Sequence, residues 1–189
     1  MQKNKTALVK QADILAGGKI KLRLLDLSDC NAMYLSWLND PVINQFLETR
    51  WSEQTLEKIK AFVGSMREDP ANYLFAIIEI ITGLHVGNIK LGPINFNHHY
   101  ADISYFIGNR SYWGKGYASE AISLATHFAF KKLNLHRVQA GLYQSNLGSA
   151  KALEKAGYKF DARLEKQLLT NSGWEDHLWY VKFNQELDT

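Results

Sequence analysis

The sequence predicts a single α/β domain, of the α+β kind, in which helices flank a mixed, mostly antiparallel sheet of about seven strands. Two pairs of β-rich runs, each joined by a short turn, predict two antiparallel hairpins. A long amphipathic segment between two further apolar runs predicts a helix that joins two parallel strands. No linker rich in Pro, Ser or Gly divides the 189 residues, so we expect one domain at 20–185 and an N-terminal arm at 1–19, which is either a loose segment or an extra edge element of the sheet.

Composition and charge restrict the class of protein. The formal net charge is +3, with lysines and arginines scattered along the chain, which favours an anionic small molecule over nucleic acid as a ligand. Cys30 is the only cysteine, so no intrachain disulfide or cysteine cluster for zinc is expected. A reducing, cytoplasmic location fits this composition, and the sequence shows neither a membrane-length apolar run nor a signal-peptide pattern.

The N-terminal part of the domain is predicted to hold one strand and three helices. Ile20–Leu24 alternates apolar and basic residues, as a half-buried strand does. The helices follow their predicted capping residues, which are Ser28, Asp40 and Ser52. The first helix would present Met33 and Trp37 on the same side. The second would begin with Pro41 and end near residue 47, and the third would stop at an Asp-Pro pair.

The rest of the domain is predicted to contain six strands and two helices. The strands are Tyr73–Ile81, Leu84–Leu91, Tyr100–Ile107, His136–Tyr143, Tyr158–Leu169 and Trp174–Phe183. The first two and the last two would form the hairpins. A helix at 116–133 would join the third strand to the fourth, so these two strands should be parallel. The second helix would begin at Ser145-Asn146 and end at Gly157.

The turn Trp113-Gly114-Lys115-Gly116-Tyr117-Ala118 lies where a strand passes into the long helix. Glycines let the backbone approach a ligand closely, and the N–H groups at a helix start favour an anion. Lys115 and the nearby Arg110 add positive charge, which is typical of a phosphate or pyrophosphate site. The alternative is a glycine-rich turn that only starts a helix. The order of residues fits neither a Walker loop nor a dinucleotide fingerprint.

A second helix start, at Ser145-Asn146, follows the strand that is predicted to lie parallel to Tyr100–Ile107. Both helix starts would then emerge at the carboxyl ends of adjacent parallel strands, where ligands commonly bind. Asn146 carries amide donors and an acceptor, so it is a candidate for binding an extended, amide-bearing ligand between the strands.

These segments resemble the GNAT family of N-acetyltransferases. The family's acyl-CoA loop has the pattern Gln/Arg-x-x-Gly-x-Gly/Ala, in which Gly116 and Ala118 fill the small positions and Trp113 stands in the Gln/Arg position. Asn146–Gly157 is similar to the family's second cofactor segment, most closely in the RimJ/RimL branch, as is the segment Trp37-Leu38-Asn39-Asp40-Pro41. The resemblance implies the GNAT fold, acetyl-CoA bound between two splayed parallel strands, and direct transfer of the acetyl group to an amine.

The resemblance also implies a set of residues that bind acetyl-CoA. They are Ile107, Trp113, Gly114, Lys115, Gly116, Tyr117, Ala118, Ser119, Asn146, Ser149 and Lys151. In RimL-like sequences the serine three positions after the asparagine lies near the sulfur. Ser149 is therefore the candidate proton donor for the leaving thiolate, and an ordinary place in the first turn of a helix is the alternative. Many GNAT enzymes carry a tyrosine seven positions after that asparagine, where this chain has Leu153.

Asp102 and His98 are the candidates for the general base. Asp102 lies where related sequences carry a glutamate, and burial on an apolar strand would raise the pKa of its carboxyl group. It would otherwise be an outward-facing charge, since the apolar residues of the strand share the other face. His98 and its neighbour His99 lie in the loop before this strand, and imidazole titrates in a useful range. No further ligand at a recognisable spacing supports a metal site.

The predicted acceptor contacts are Trp37, Trp51, His99 and Trp174. Large aromatic residues more often belong to a core. Glu48 and Arg50 either bind charged groups of the acceptor or are solvated surface residues.

The identity of the small-molecule or peptide acceptor stays open between two amines, the α-amine of a protein N-terminus and the amine of a nucleotide-linked amino sugar. A CoA-binding or interaction module of the same fold is the alternative to an enzyme. The last hairpin offers an edge for a homodimer, and we expect no nucleic-acid or membrane partner.

Overall fold

One sheet of eight strands organises the fold in the computed structural model, which describes residues 14–187. The strands are β1 (Leu15–Ala16), β2 (Ile20–Leu24), β3 (Tyr73–Glu79), β4 (His85–Asn95), β5 (Tyr100–Ile107), β6 (Arg137–Tyr143), β7 (Lys159–Thr170) and β8 (Gly173–Phe183). Their spatial order is β1-β2-β3-β4-β5-β6-β8-β7, and every neighbouring pair is antiparallel except β5 with β6. The predicted fold class, mixed sheet and two hairpins are confirmed.

The additional strand, β1, comes from the predicted N-terminal arm and agrees with the second of the two expectations for it, an extra edge element. It extends the sheet at the edge, with Leu15 opposite Leu22 of β2. Residues 1–13 of the predicted arm lie outside the described residues.

Helices flank the sheet on both sides. Within residues 14–187 the α-helices are α1 (Ala32–Asn39), α2 (Pro41–Asn44), α3 (Leu56–Glu68), α4 (Tyr117–Lys131) and α5 (Leu147–Lys155). Asp40 caps α2 as predicted, because its side chain accepts a hydrogen bond from a backbone N–H of the first turn. The predicted caps of α1 and α3 were wrong, since Asn31 and Thr55 take those positions. The second helix is also shorter than predicted.

The two wrong caps have a common cause. Short 3-10 helices, Leu27–Asp29 and Glu48–Trp51, precede α1 and α3. Ser28 lies inside the first of them, which Asp26 caps by accepting a hydrogen bond from the Ser28 N–H at 3.0 Å. Ser52 ends the second one. Each serine therefore belongs to a short turn of helix that comes before the predicted one.

Apolar side chains pack on both faces of the sheet. All of β3 is buried, and its apolar side chains at 73, 75 and 77 join a cluster with α4 while those at 74, 76 and 78 join a cluster with α1 and α3. Trp37 belongs to the second cluster, whereas Met33 is exposed, contrary to the prediction. On α4 the buried residues Ala121, Ala125 and Ala129 let the helix lie close to the sheet.

The strands β5 and β6 pair over a short length and then separate. The pairs are Tyr100 with Arg137, Ala101 with Val138, and Asp102 with Gln139. Beyond them β5 continues to Ile107 beside β4, and β6 continues to Tyr143 beside β8. The two halves of the sheet therefore diverge and leave a gap between β5 and β6. The predicted parallel arrangement of the strands on either side of α4 is confirmed.

Replacing Leu153 by Ala should destabilise the protein, because this side chain is fully buried in the cluster that joins α4 to the sheet. We expect the free energy of unfolding to fall by about 2–5 kcal/mol. The matched control is Leu147→Ala in the same helix, where the side chain is 65% exposed and a loss below about 0.5 kcal/mol is expected. Urea unfolding followed by circular dichroism measures both changes, and equal losses would contradict the assignment of Leu153 to the core.

Candidate active site

The glycine turn before α4 has the backbone shape of a ligand loop. Gly114 and Gly116 have φ angles of 70° and 86°, which glycine adopts without strain. Gly116 is the N-terminal cap of α4. The N–H groups of the first helical residues, Tyr117 and its two successors, point toward this turn because a helix offers them no carbonyl partner. An anion at Gly116 would be bound by these groups and by the helix dipole.

Two lysines from distant parts of the chain lie beside this turn. A β-carbon placed on Gly116 would be 3.5 Å from Nζ of Lys155 and 3.7 Å from Nζ of Lys19. Nζ of Lys19 donates to the carbonyl oxygen of Lys115 at 2.7 Å, and its backbone N–H donates to Oε1 of Glu120 at 2.8 Å. The chain just before β2 is thus bound to the start of α4. Neither lysine was predicted, because only the fold brings them to the loop.

Trp113 attaches the turn to the end of β5. Its indole Nε1 donates to the carbonyl oxygen of Ile107 at 2.7 Å, and the guanidinium carbon of Arg110 lies 5.8 Å from the centroid of its ring. In this chain the residue at the Gln/Arg position of the family pattern therefore holds the loop against the neighbouring strand.

The start of α5 brings Ser149 to the other side of the gap. Asn146 caps this helix, because its Oδ1 accepts a hydrogen bond from the Ser149 N–H at 3.1 Å. The carboxamide oxygen therefore has a structural role. The NH2 group is the part of Asn146 that fits the predicted contact with a ligand.

A partly buried tyrosine on β5 contacts Ser149. The hydroxyl oxygen of Tyr105 lies 2.7 Å from Oγ of Ser149 and 3.2 Å from the Ser149 carbonyl oxygen, and its one hydrogen can be donated to either oxygen. Burial raises the pKa of Tyr105 far above its usual range, so the phenol keeps its proton. Tyr105 was not predicted, because it shares the apolar face of β5, and its hydroxyl group was the one available signal. Leu153, at the position of the family tyrosine, is fully buried in the core.

The gap opens into a cleft of about 1230 Å³. Every residue that the resemblance assigned to acetyl-CoA lines this cleft except Lys115, whose carbonyl group binds Lys19. The opposite side of the cleft includes Phe46, Glu48 and His177, which we call the acidic wall. Cationic groups therefore lie at the glycine-turn end of the cleft and the carboxylate of Glu48 lies on the acidic wall, while Lys58 and Lys90 are further cations of its lining.

Glu48 is held in place on the acidic wall by hydrogen bonds. The hydroxyl group of Tyr143 donates to Oε1 of Glu48 at 2.7 Å and accepts from Arg50 at 2.8 Å. The indole of Trp51 donates to Oε2 of Glu48 at 3.1 Å. Burial, followed by the hydrogen bond to Glu48, raises the pKa of Tyr143, so its hydroxyl group stays a donor. A carboxylate fixed at this point favours a cationic ligand group.

His98 and His99 lie outside the cleft, contrary to the prediction. They line a separate cleft of about 310 Å³ together with Asn134 and His136. This second cleft is at the amino end of β5, whereas the glycine turn follows the carboxyl end, about 23 Å away along the strand. Neither histidine therefore lines the same cleft as Ser149.

The remaining predicted catalytic and acceptor residues do not line the cleft. Asp102 is partly buried, accepts a hydrogen bond from Nε2 of Gln139 at 2.8 Å and does not line the cleft. Trp37 is 6% exposed and belongs to the core, so it does not reach an acceptor. Trp51 orients Glu48 from outside the cleft lining. Trp174 is 63% exposed and also lies outside that lining.

Among residues 14–187 no group of three or more His, Cys, Asp or Glu side chains lies close enough to hold a metal ion. None of the described helices has the length and apolar character needed to cross a membrane.

Known proteins share both the sequence pattern and the fold. The family described as the acetyltransferase (GNAT) domain matches residues 19–159. The uncharacterized N-acetyltransferase YnaD of Bacillus subtilis is 28% identical over 171 residues, which cover 89% of this chain and 95% of that protein.

Two solved structures with less than 25% identity share the fold. The spermidine N-acetyltransferase of Vibrio cholerae, in complex with CoA and spermine, has a TM-score of 0.78 and 20% identity over 88% of this chain and 96% of its own. The ribosomal-protein-S5-alanine acetyltransferase of Vibrio fischeri has a TM-score of 0.75 and 24% identity over 92% and 97%. With the family match over most of its length, this chain belongs to the GNAT family of acetyltransferases.

Proposed function

We propose that this GNAT N-acetyltransferase transfers the acetyl group of acetyl-CoA to the α-amine of a peptide or protein N-terminus. The observation that carries the proposal is the gap between β5 and β6, which has a helix start on each side and opens into a cleft with a carboxylate on its far wall. The donor, the leaving group and the acceptor are each supported by particular residues.

The cationic end of the cleft supports acetyl-CoA as the donor. The diphosphate would lie at Gly116, where the N–H groups of α4 and the ammonium groups of Lys19 and Lys155 converge. Beyond Asp102, the edge of β5 that faces the gap has no ladder partner, so its backbone groups are available to the amides of an extended arm. The thioester at the end of this arm would lie close to Ser149.

Ser149 and Tyr105 support the departure of the thiolate. When the Tyr105 hydroxyl donates to Oγ of Ser149, the serine O–H is free to donate a hydrogen bond to the sulfur. Because burial raises the pKa of Tyr105, the pair acts by hydrogen bonding to the developing negative charge and the tyrosine is not ionised.

The acidic wall supports a cationic amine as the acceptor. Glu48 offers a carboxylate for an ammonium group. A nucleotide-linked amino sugar would instead need cations for its phosphates. Arg50 is already hydrogen-bonded to Gln45, Tyr143 and Leu169, and Lys58 to the carbonyl oxygen of Glu53, so these two cations disfavour that acceptor, and Lys90 of the cleft lining would have to bind the phosphates. The Vibrio fischeri neighbour is named for an alanine of a ribosomal protein, which agrees with a peptide acceptor.

Incubation with radiolabelled acetyl-CoA tests the proposed function. The acceptors are a short peptide with a free N-terminal alanine, the same peptide with a blocked N-terminus, a nucleotide-linked amino sugar and spermidine. We expect label on the free peptide and none on the blocked one. Transfer to the amino sugar or to spermidine alone would contradict the peptide acceptor. Binding of CoA without transfer to any acceptor would support a binding module.

The substitution Gly116→Val should abolish CoA binding. A branched side chain at a φ of 86° is strained, and it would occupy the space between the helix N–H groups and the ammonium groups of Lys155 and Lys19. Calorimetric titration with CoA measures the effect. The control is Gly173→Val, which places the same side chain at another positive φ, at the start of β8 outside the cleft, where a β-carbon would meet no atom within 4 Å. Unchanged affinity in Gly116→Val would contradict the diphosphate site.

The substitution Ser149→Ala should lower kcat by about 100-fold, because the leaving sulfur loses its hydrogen-bond donor. The affinity for CoA should stay close to that of the wild type. Tyr105→Phe should have a smaller effect, since Ser149 stays in place without its partner. Ser123→Ala, on the exposed side of α4, serves as the control. An unchanged kcat in Ser149→Ala would remove this residue from the mechanism.

A further inference from the structure

We propose that His177 is the general base of the transfer and takes a proton from the acceptor's ammonium group before the amine attacks. The inference rests on the proposed function and concerns a residue that the sequence did not single out. His177 lies on β8 and belongs to the acidic wall of the cleft. Its position, its hydrogen bond and the charges around it each support this role.

The imidazole of His177 stands at the entrance of the gap between β5 and β6. A β-carbon placed on Gly141 would lie 2.2 Å from Nε2 of His177, so the ring fills the space directly above Gly141 on β6. Gly141 comes shortly after Gln139, where the pairing of β5 with β6 ends. Nε2 is therefore located where a thioester in the gap and an amine in the cleft would meet. Glycine at this position is what leaves room for the ring.

A hydrogen bond to Gln167 of β7 fixes the tautomer of His177. Nδ1 lies 2.6 Å from Oε1 of Gln167. A carboxamide oxygen only accepts hydrogen bonds, so Nδ1 carries the hydrogen and Nε2 carries the lone pair. Gln167 lies in an irregular stretch of β7 between Leu164 and Leu168, where Lys166 has a φ of 49°. This bulge brings a side chain of the edge strand to the ring.

The surroundings of His177 suit a base that acts near neutral pH. Burial lowers the pKa of His177, and the carboxylates of Glu48 and Asp102 partly oppose this shift. The ring packs on Trp179, with centroids 4.8 Å apart, and its cross-strand neighbour on β6 is Tyr143. Because the net shift is downward, the imidazole is neutral at physiological pH and can accept a proton. The two carboxylates then stabilise the imidazolium that forms.

The transfer begins with a proton transfer to His177 and continues with attack of the amine on the thioester. The acceptor ammonium group gives one proton to Nε2, which leaves a neutral amine and an imidazolium. The amine nitrogen bonds to the thioester carbon, the carbon–sulfur bond breaks, and CoA departs as a thiolate. The nitrogen then loses its surplus proton to the thiolate by way of the Ser149 hydroxyl, and His177 releases its proton to solvent.

The two carboxylates near His177 have other roles. Asp102 is hydrogen-bonded to Gln139 and does not line the cleft, so it does not reach the acceptor nitrogen. Both oxygens of Glu48 accept hydrogen bonds, from Tyr143 and Trp51, which fixes the carboxylate as a binding group for the ammonium. Glu48 therefore brings the charged amine into the cleft, and His177 deprotonates it.

The substitution His177→Gln tests the role through the pH profile of kcat/KM, with a short peptide that has a free N-terminal alanine as the acceptor. The wild-type value should rise as pH passes through the lowered pKa of His177 and then level off, because the base must be neutral. The variant can use only amine that is already deprotonated in solution, where its pKa is about 8. We expect a loss of about 100-fold at about pH 6.5 that falls below about 10-fold at about pH 9.

Two further variants complete the experiment. His127→Gln, on the exposed side of α4, is the matched control and should leave the profile unchanged. Gln167→Leu removes the partner of Nδ1 and should lower kcat/KM by about tenfold, the cost of one hydrogen bond, with recovery at high pH. Gln167 is thus a positioning residue that acts through His177.

A loss in His177→Gln that is the same at every pH, or no loss at all, would overturn the role. Calorimetric titration with CoA shows whether the His177→Gln variant is folded. If it is not folded, the pH profile of Gln167→Leu replaces it, and a loss that is the same at every pH, or no loss, would overturn the role. Failure of the wild-type chain to acetylate any acceptor would instead overturn the proposed function, which distinguishes the two outcomes.

Discussion

The early separation of β5 and β6 is the constraint on which the rest of the site depends. The strands pair only as far as Asp102 and Gln139, because β4 and β8 then hold them in diverging directions. Backbone groups along the gap are left without a strand partner, and buried groups of this kind need hydrogen bonds from elsewhere. The starts of α4 and α5 add further N–H donors on either side. The gap between β5 and β6 therefore suits an extended ligand that carries amides and ends in an anion.

Cationic groups near Gly116 and the carboxylate of Glu48 give the donor and the acceptor separate binding positions in the cleft. Lys19 and Lys155 surround the turn at Gly116, whereas Glu48 lies on the acidic wall. An anionic donor and a cationic acceptor would thus enter at different ends and meet at the gap. The groups proposed to move protons stand between these ends, with Ser149 on the side of α5 and a histidine of β8 on the other.

Local patterns in the sequence were enough to predict the strands, the hairpins and the helix starts at both sides of the gap, because alternation, turn residues and small residues act over a few positions. Features that depend on long-range packing were not predictable in this way. Lys19 and Tyr105 reach the site only through the sheet, and the 3-10 helices that displaced the predicted caps are too short to leave a periodic pattern. His98 precedes β5 and the glycine turn follows it, so the length of this strand holds the histidine away from the turn, which the sequence-based assignment did not take into account.

The most direct measurement is a crystal structure of the protein with bound CoA. We expect the diphosphate on the first N–H groups of α4, the pantetheine arm beside β5, and the sulfur between Ser149 and the entrance of the gap. A structure in which CoA binds elsewhere, or in which side chains fill the space between β5 and β6, would contradict the central claim.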